Sequence, residues 1–248
     1  MANFFGLVRK LFYRDWKKQE QMVQQSNNQT QLTKPNNMLW YNGMVILLDN
    51  GHASSTPGKH SPKISGGIRF YEYAFNRTIV NKIASELDKL GIKYHIIVPE
   101  NKNDIALSVR AARANEYAAK YGKNNCFLIS VHANAFGNGE TWNDARGWSV
   151  YTTKGKTKSD TYATIFFEEA EKLLPKYNMT LRKDISDGDP DFEENFTVLY
   201  KTTCPAILTE NLFYTNKTDL AFLMSEEGEN IIAKIHVEAI KRICTKED

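Results

Sequence analysis

Beyond residue 43, short apolar runs alternate with longer stretches of helical periodicity, and that alternation restricts the chain to few folds. Met44-Val45-Ile46-Leu47-Leu48 reads as a buried strand. Residues 73–90 read as a helix with Ala74, Ile79, Ile83 and Leu87 on its apolar side, stopped by Gly91. Tyr94–Val98 is a second strand, and Asp104 is positioned to cap a helix reaching Tyr121. Cys126–Val131, Trp148–Tyr151, Thr197–Tyr200 and Ala206–Thr209 read as further strands. Helices are expected over Thr161–Leu174, 216–223 and 226–243. The pattern predicts an α/β fold: a single domain with a twisted, mostly parallel central sheet flanked by helices, over residues 41–248.

The first 40 residues follow a different pattern. Phe4, Phe5, Val8, Leu11, Phe12 and Trp16 share one side of a helix, with Arg9, Lys10, Arg14 and Lys17 mostly off it. Two readings of this N-terminal helical arm stand: contact with a membrane surface, or packing on its own domain or on a partner in an oligomer. Residues 21–39 are rich in Gln and Asn, lack apolar periodicity and read as a linker. The basic residues interrupt the apolar stretch, so no secretion signal is recognised. The expectation is a protein made in the cytoplasm that reaches its place of action by another route.

A net charge of +3 is too weak and dispersed for nucleic-acid binding, and none is expected. Cys126, Cys204 and Cys244 form neither a CxxC pair nor a short metal-ligand spacing, and are expected to be reduced and structural.

In open α/β sheets, sites collect where loops leave the carboxyl ends of strands. The first strand here ends in Asp49-Asn50-Gly51-His52, the third in Ser130-Val131-His132-Ala133-Asn134, and the last in Leu208-Thr209-Glu210-Asn211. Glu72 opens the first long helix. A hydrolytic zinc keeps three protein ligands and one position for water. His52, Glu72 and His132 supply three ligands of the right types, and Glu210 supplies a carboxylate for moving the proton. No HExxH is present, so the spacing alone also fits incidental strand-end residues.

These same segments, with Pro205-Ala206-Ile207-Leu208-Thr209-Glu210-Asn211-Leu212-Phe213, resemble the zinc amidase family called Amidase_3, in matching order over about residues 44–243. The resemblance implies one Zn²⁺ per chain on His52, Glu72 and His132, with Glu210 as catalytic acid/base. It implies peptidoglycan as substrate, cut at the amide between the lactyl group of N-acetylmuramic acid and L-alanine. Asn50 and Ala53 stand where the family usually has Pro and Gly. The loop Ser54–Arg69 brings the chain nearer a subset associated with phages and gut bacteria. For such a chain the route to the cell wall is release as a phage lysin or non-classical export. Two alternatives stay open: a zinc peptidase acting on wall peptides, and a non-catalytic wall-binding module.

Around this set, Asp49 is expected to orient a ligand histidine or to cap the turn. Asn134, Asn211 and Arg182 are candidates for substrate contact, the asparagines alternatively shaping turns. His60 is expected in solvent, and His95 and His236 in structural roles. The run Ser186–Asp191 lacks an EF-hand frame and reads as an acidic turn near the cleft.

Overall fold

The structure is a computed structural model and describes residues 41–245. The arm and linker expected over residues 1–40 lie outside them. Six strands form one sheet: β1 (Val45–Asn50), β2 (Tyr94–Ile96), β3 (Cys126–Asn134), β4 (Ser149–Thr152), β5 (Phe192–Glu193) and β6 (Ala206–Phe213). Their order across the sheet is β2-β1-β3-β6-β4-β5. β2, β1, β3 and β6 run parallel; β4 pairs antiparallel with β6 and parallel with β5. The chain steps from β1 outward to β2, then returns past β1 to β3. The strand order therefore reverses between β1 and β3, which opens a crevice at their carboxyl ends.

The helices are α1 (Glu72–Leu90), α2 (Leu107–Tyr121), α3 (Lys158–Leu173), the single turn α4 (Thr197–Tyr200), α5 (Lys217–Leu223) and α6 (Glu226–Cys244). Strand alternation sorts side chains to two faces. Ile46, Leu48, Phe127, Ile129, Val131 and Ile207 face one core, which α1, α3 and α6 cover. Each fully buried aliphatic side chain there stabilises the fold by roughly 1.5–3 kcal/mol. α2 packs over β1 and β3 on the opposite face.

Three local expectations are corrected. Thr197–Tyr200 is a helical turn following Phe196, not a strand; its run of apolar and β-branched residues is too short for periodicity to separate the two. Asp104 does not cap α2, which starts after Ala106 without a side-chain cap. Its carboxylate instead accepts from Thr56 Oγ1 (2.7 Å) and Arg110 Nη2 (2.9 Å). The helix expected from Thr161 begins earlier, because Thr157 and Asp160 form a reciprocal capping box. The three cysteines are free and buried. Among the described residues, no helix is long and apolar enough to cross a membrane.

Candidate metal centre

His52 leaves the end of β1 in a left-handed conformation, φ 61°. For an L-residue with a side chain this costs roughly 1–2 kcal/mol, and such strain gathers at functional sites. Two side chains from the first turns of α1 hold the turn. Asn76 Nδ2 donates to Gly51 O (3.1 Å), and Arg77 Nη2 donates to His52 O (2.9 Å) and Glu100 O (2.5 Å). Gly51 itself is required by proximity. A Cβ there would overlap the His132 ring and stand 2.6 Å from Asn76 Nδ2.

Glu72 is buried at the start of α1, where the helix dipole favours a carboxylate. Its backbone N–H donates to Lys59 O (3.0 Å), which ties the helix to the loop after β1. Glu72 Oε1 lies 3.0 Å from His132 Nδ1 and 3.4 Å from His52 Nε2. The two imidazoles meet edge to face, centroids 4.9 Å apart. One ligand atom from each of the three residues lies within 4.8 Å of the others. Glu72 Oε2 is buried with no hydrogen-bond partner. A His–Glu–His donor set with an orphaned carboxylate oxygen fits a divalent metal.

Burial pushes the Glu72 pKa up, but hydrogen bonds from His132 and His52 outweigh it and hold the carboxyl well below its usual range. Burial lowers the His52 pKa, favouring the neutral imidazole that a metal needs. Glu210 stands directly opposite His132 in the β3–β6 register. Burial, followed by the charge of Glu72, raises the Glu210 pKa well above the carboxylate range, against the opposing charges of Lys59 and Arg182. Glu210 Oε2 is buried without a partner.

A bulge shapes this edge. His132 pairs with Glu210 and Asn134 with Phe213, so Ala133 faces two residues, Asn211 and Leu212. Leu212 takes up the extra residue at φ 67°. Paired residues share a face, so the bulge brings His132, Asn134, Glu210 and Phe213 to one side.

Asn211 falls on the other side, where its amide serves the local structure. It is fully buried, its Oδ1 accepting from Trp148 Nε1 (2.8 Å) and its Nδ2 donating to His132 O (2.8 Å) and Thr209 Oγ1 (3.2 Å). Thr209 Oγ1 in turn meets His236 Nε2 (2.9 Å), while His236 Nδ1 meets Ile232 O (2.8 Å). A carbonyl only accepts, so Nδ1 carries the proton and Nε2 accepts from Thr209. Every donor in this chain is thereby fixed, from α6 to the backbone of His132. Burial lowers the His236 pKa to about 4, consistent with a neutral ring.

Asp49 is also corrected. Its oxygens take Arg110 Nη1 (2.7 Å) and Ser130 Oγ (2.6 Å), and neither histidine. Arg110 is buried and also donates to Asn50 O (2.5 Å) and Ile105 O (2.7 Å), so the ion pair fixes the end of β1 rather than a ring. Asn50 uses its amide to reach Val98 O (2.9 Å) beyond β2. His60 is half-buried rather than solvated. Arg69 Nη1 donates to its Nδ1 (2.8 Å) and Arg69 Nη2 to Glu140 (2.7 Å). His95 stacks on Tyr117, centroids 4.1 Å apart. In the acidic run, Asp191 is buried and accepts from Thr152 Oγ1 (2.6 Å). Burial and neighbouring Asp189 push the Asp191 pKa up to about 8. Among the described residues the only three-ligand cluster is His52, Glu72 and His132.

Some residues near the site carry no sequence motif. Tyr214 is buried, and its hydroxyl pKa is raised by burial and then by the charges of Glu72 and Glu210. Tyr151 and Phe192 stack half-buried beside Glu210's face of the sheet, centroids 5.3 Å apart. The alternation in β4 marked Tyr151; β5 is too short for any pattern to show.

A parallel-sheet crevice, lined at its strand ends by a His–Glu–His cluster with a separate buried carboxylate beside it, defines an α/β protein with a candidate metal centre. The chain belongs to the N-acetylmuramoyl-L-alanine amidase family Amidase_3, whose model matches residues 46–242. It is 29% identical over 205 residues to an endolysin of Bacillus phage SPP1, covering 80% of this chain and 65% of that one. It is 28% identical over 236 residues to the amidase AmiC of Neisseria meningitidis, covering 80% of this chain and 52% of that one. The chain thus spans about half to two thirds of the length of these relatives. An amidase structure from Clostridium difficile 630 superposes with a TM-score of 0.62 at 25% identity, over 80% of this chain and 95% of that one. The catalytic domain of CwlV from Paenibacillus polymyxa shares the fold, with a TM-score of 0.62 at 23% identity, over 81% of this chain and 97% of that one.

Proposed function

We propose that the chain is a zinc-dependent N-acetylmuramoyl-L-alanine amidase, with His52, Glu72 and His132 as ligands and Glu210 as the proton carrier. The observation that carries the reading is the pairing of His132 with Glu210 across β3 and β6, beside the cluster that fits a metal. Zinc bound there would polarise the scissile carbonyl and acidify a water. Glu210 takes a proton from the attacking water as the new C–O bond forms. It returns that proton to the alanine nitrogen as the C–N bond breaks, leaving a lactyl carboxylate and a free amine. Asn134 shares the face of Glu210, and its Oδ1 is turned to Ala135 N (2.8 Å), which leaves the amide to donate to a substrate carbonyl.

The substrate is peptidoglycan, and the site of action is the cell wall. A peptidase on the wall peptides would share the metal chemistry and differ in the bond cut. A wall-binding module would have no use for Glu210. The test separates metal from proton transfer. Glu210→Gln is expected to keep stoichiometric zinc and lose about 100- to 10,000-fold in turnover. His52→Ala and His132→Ala are expected to lose both. Full zinc content in either histidine variant, or near-normal turnover in Glu210→Gln, contradicts the assignment.

A further inference from the structure

Arg182 lies on the far side of Glu210 from the metal ligands. Leu181 bridges Trp148, and Arg182 N donates to Trp148 O (2.8 Å), which docks this segment beside β4. Ser149, next to Trp148, pairs with Glu210. The Arg182 backbone therefore sits about 10 Å from that of Glu210, two strand spacings away. The side chain leans back across the sheet. Its guanidinium lies 5.3 Å from the centroids of both Phe192 and Phe213. Phe213 shares the face of Glu210 because of the bulge at Leu212, and Phe192 shares it by pairing with Tyr151, two residues from Ser149.

Two aromatic rings thus hold the planar fork without using its N–H donors. Among the described residues Arg182 forms no salt bridge, and the carboxylate its charge reaches is that of Glu210. A half-buried cation stacked on two rings, with no salt bridge taking up its N–H donors, is placed on the reacting face to meet a further anion. Its direction from Glu210 says which part of the substrate brings it. Glu210 hands its proton to the leaving amine, so the peptide extends from Glu210 away from the acyl side, toward Arg182. Successive α-carbons are about 3.8 Å apart, which puts the residue after L-alanine within reach of the guanidinium.

We propose that Arg182 recognises a carboxylate left outside the peptide linkage on the residue that follows L-alanine in the leaving peptide, so that this enzyme discriminates against substrates in which that group is amidated. The inference rests on the amidase reading above. The test uses two synthetic muramoyl peptides that differ only at that group, carboxylate in one and primary amide in the other. The unmodified protein is expected to favour the carboxylate by about 10- to 100-fold in kcat/KM, the range of a charge-assisted hydrogen bond. Arg182→Gln is expected to bring the ratio near one, and Arg182→Lys to restore part of it. Raising the salt is expected to narrow the preference. A ratio near one in the unmodified protein, or the same ratio in Arg182→Gln, overturns the subsite while leaving the amidase reading standing. Release of no L-alanine amine from either peptide overturns the amidase reading and the subsite with it.

Discussion

Gly51 shows how little room the site leaves. Its Cα faces the His132 ring closely enough that a methyl group would overlap it. Gly51→Ala changes no proposed ligand, yet the ring or the turn must move. Zinc affinity is expected to fall about 10- to 100-fold, as for other groups that support ligands, measured by chelator competition. Affinity equal to that of the unmodified protein would mean the turn relaxes without disturbing His132. At this scale the sequence is most readable for the residues proposed to carry the chemistry. Strand-end histidines and acids stood out, and their order matched a known family. The groups that hold them did not. Asn76, Arg77 and Arg110 look in sequence like ordinary helix residues, because their partners are backbone carbonyls and loop acids brought near only by folding. The role of Asp49 is illegible in sequence for the same reason: its partner Arg110 is 61 positions away.

Among the elements, α2 contributes more than cover. Its Arg110 pairs with Asp49 inside the sheet–helix interface, both essentially out of solvent. Burial opposes the charged guanidinium, and the Asp49 charge more than compensates, so the Arg110 pKa is raised. Removing one partner strands the other. Arg110→Met is expected to destabilise the fold by about 3–5 kcal/mol in urea titration, and adding Asp49→Asn to recover part of that. A loss under 1 kcal/mol would mean water reaches Asp49 and the pair is not structural. The strand–helix alternation made the main elements legible. It failed at the shortest ones, α4 and β5, where four and two residues are too few for a period to register. The antiparallel setting of β4 and the bulge in β6 were not visible at all, since both depend on pairing partners.

For the whole molecule, the buried chain His236–Thr209–Asn211–His132 couples the core to the site. Its pH dependence has a definite sign. The folded pKa of His236 is about 4, against 6.5 for the free side chain. The fold therefore prefers the neutral ring. That contribution is fully present above pH 6.5 and is lost as pH falls toward 4, by about 3 kcal/mol in all. The expected result is a fall in Tm over that window which His236→Gln flattens. An identical slope in the variant would place the acid sensitivity elsewhere.

The central claim concerns which bond is cut and with what. Purified peptidoglycan is digested with the full chain, with and without a chelator, and the soluble products are read by mass spectrometry. The account predicts intact stem peptides with free L-alanine amines, no release under chelation, and recovery on adding Zn²⁺. Shortened stems, or release that chelation leaves untouched, would contradict it.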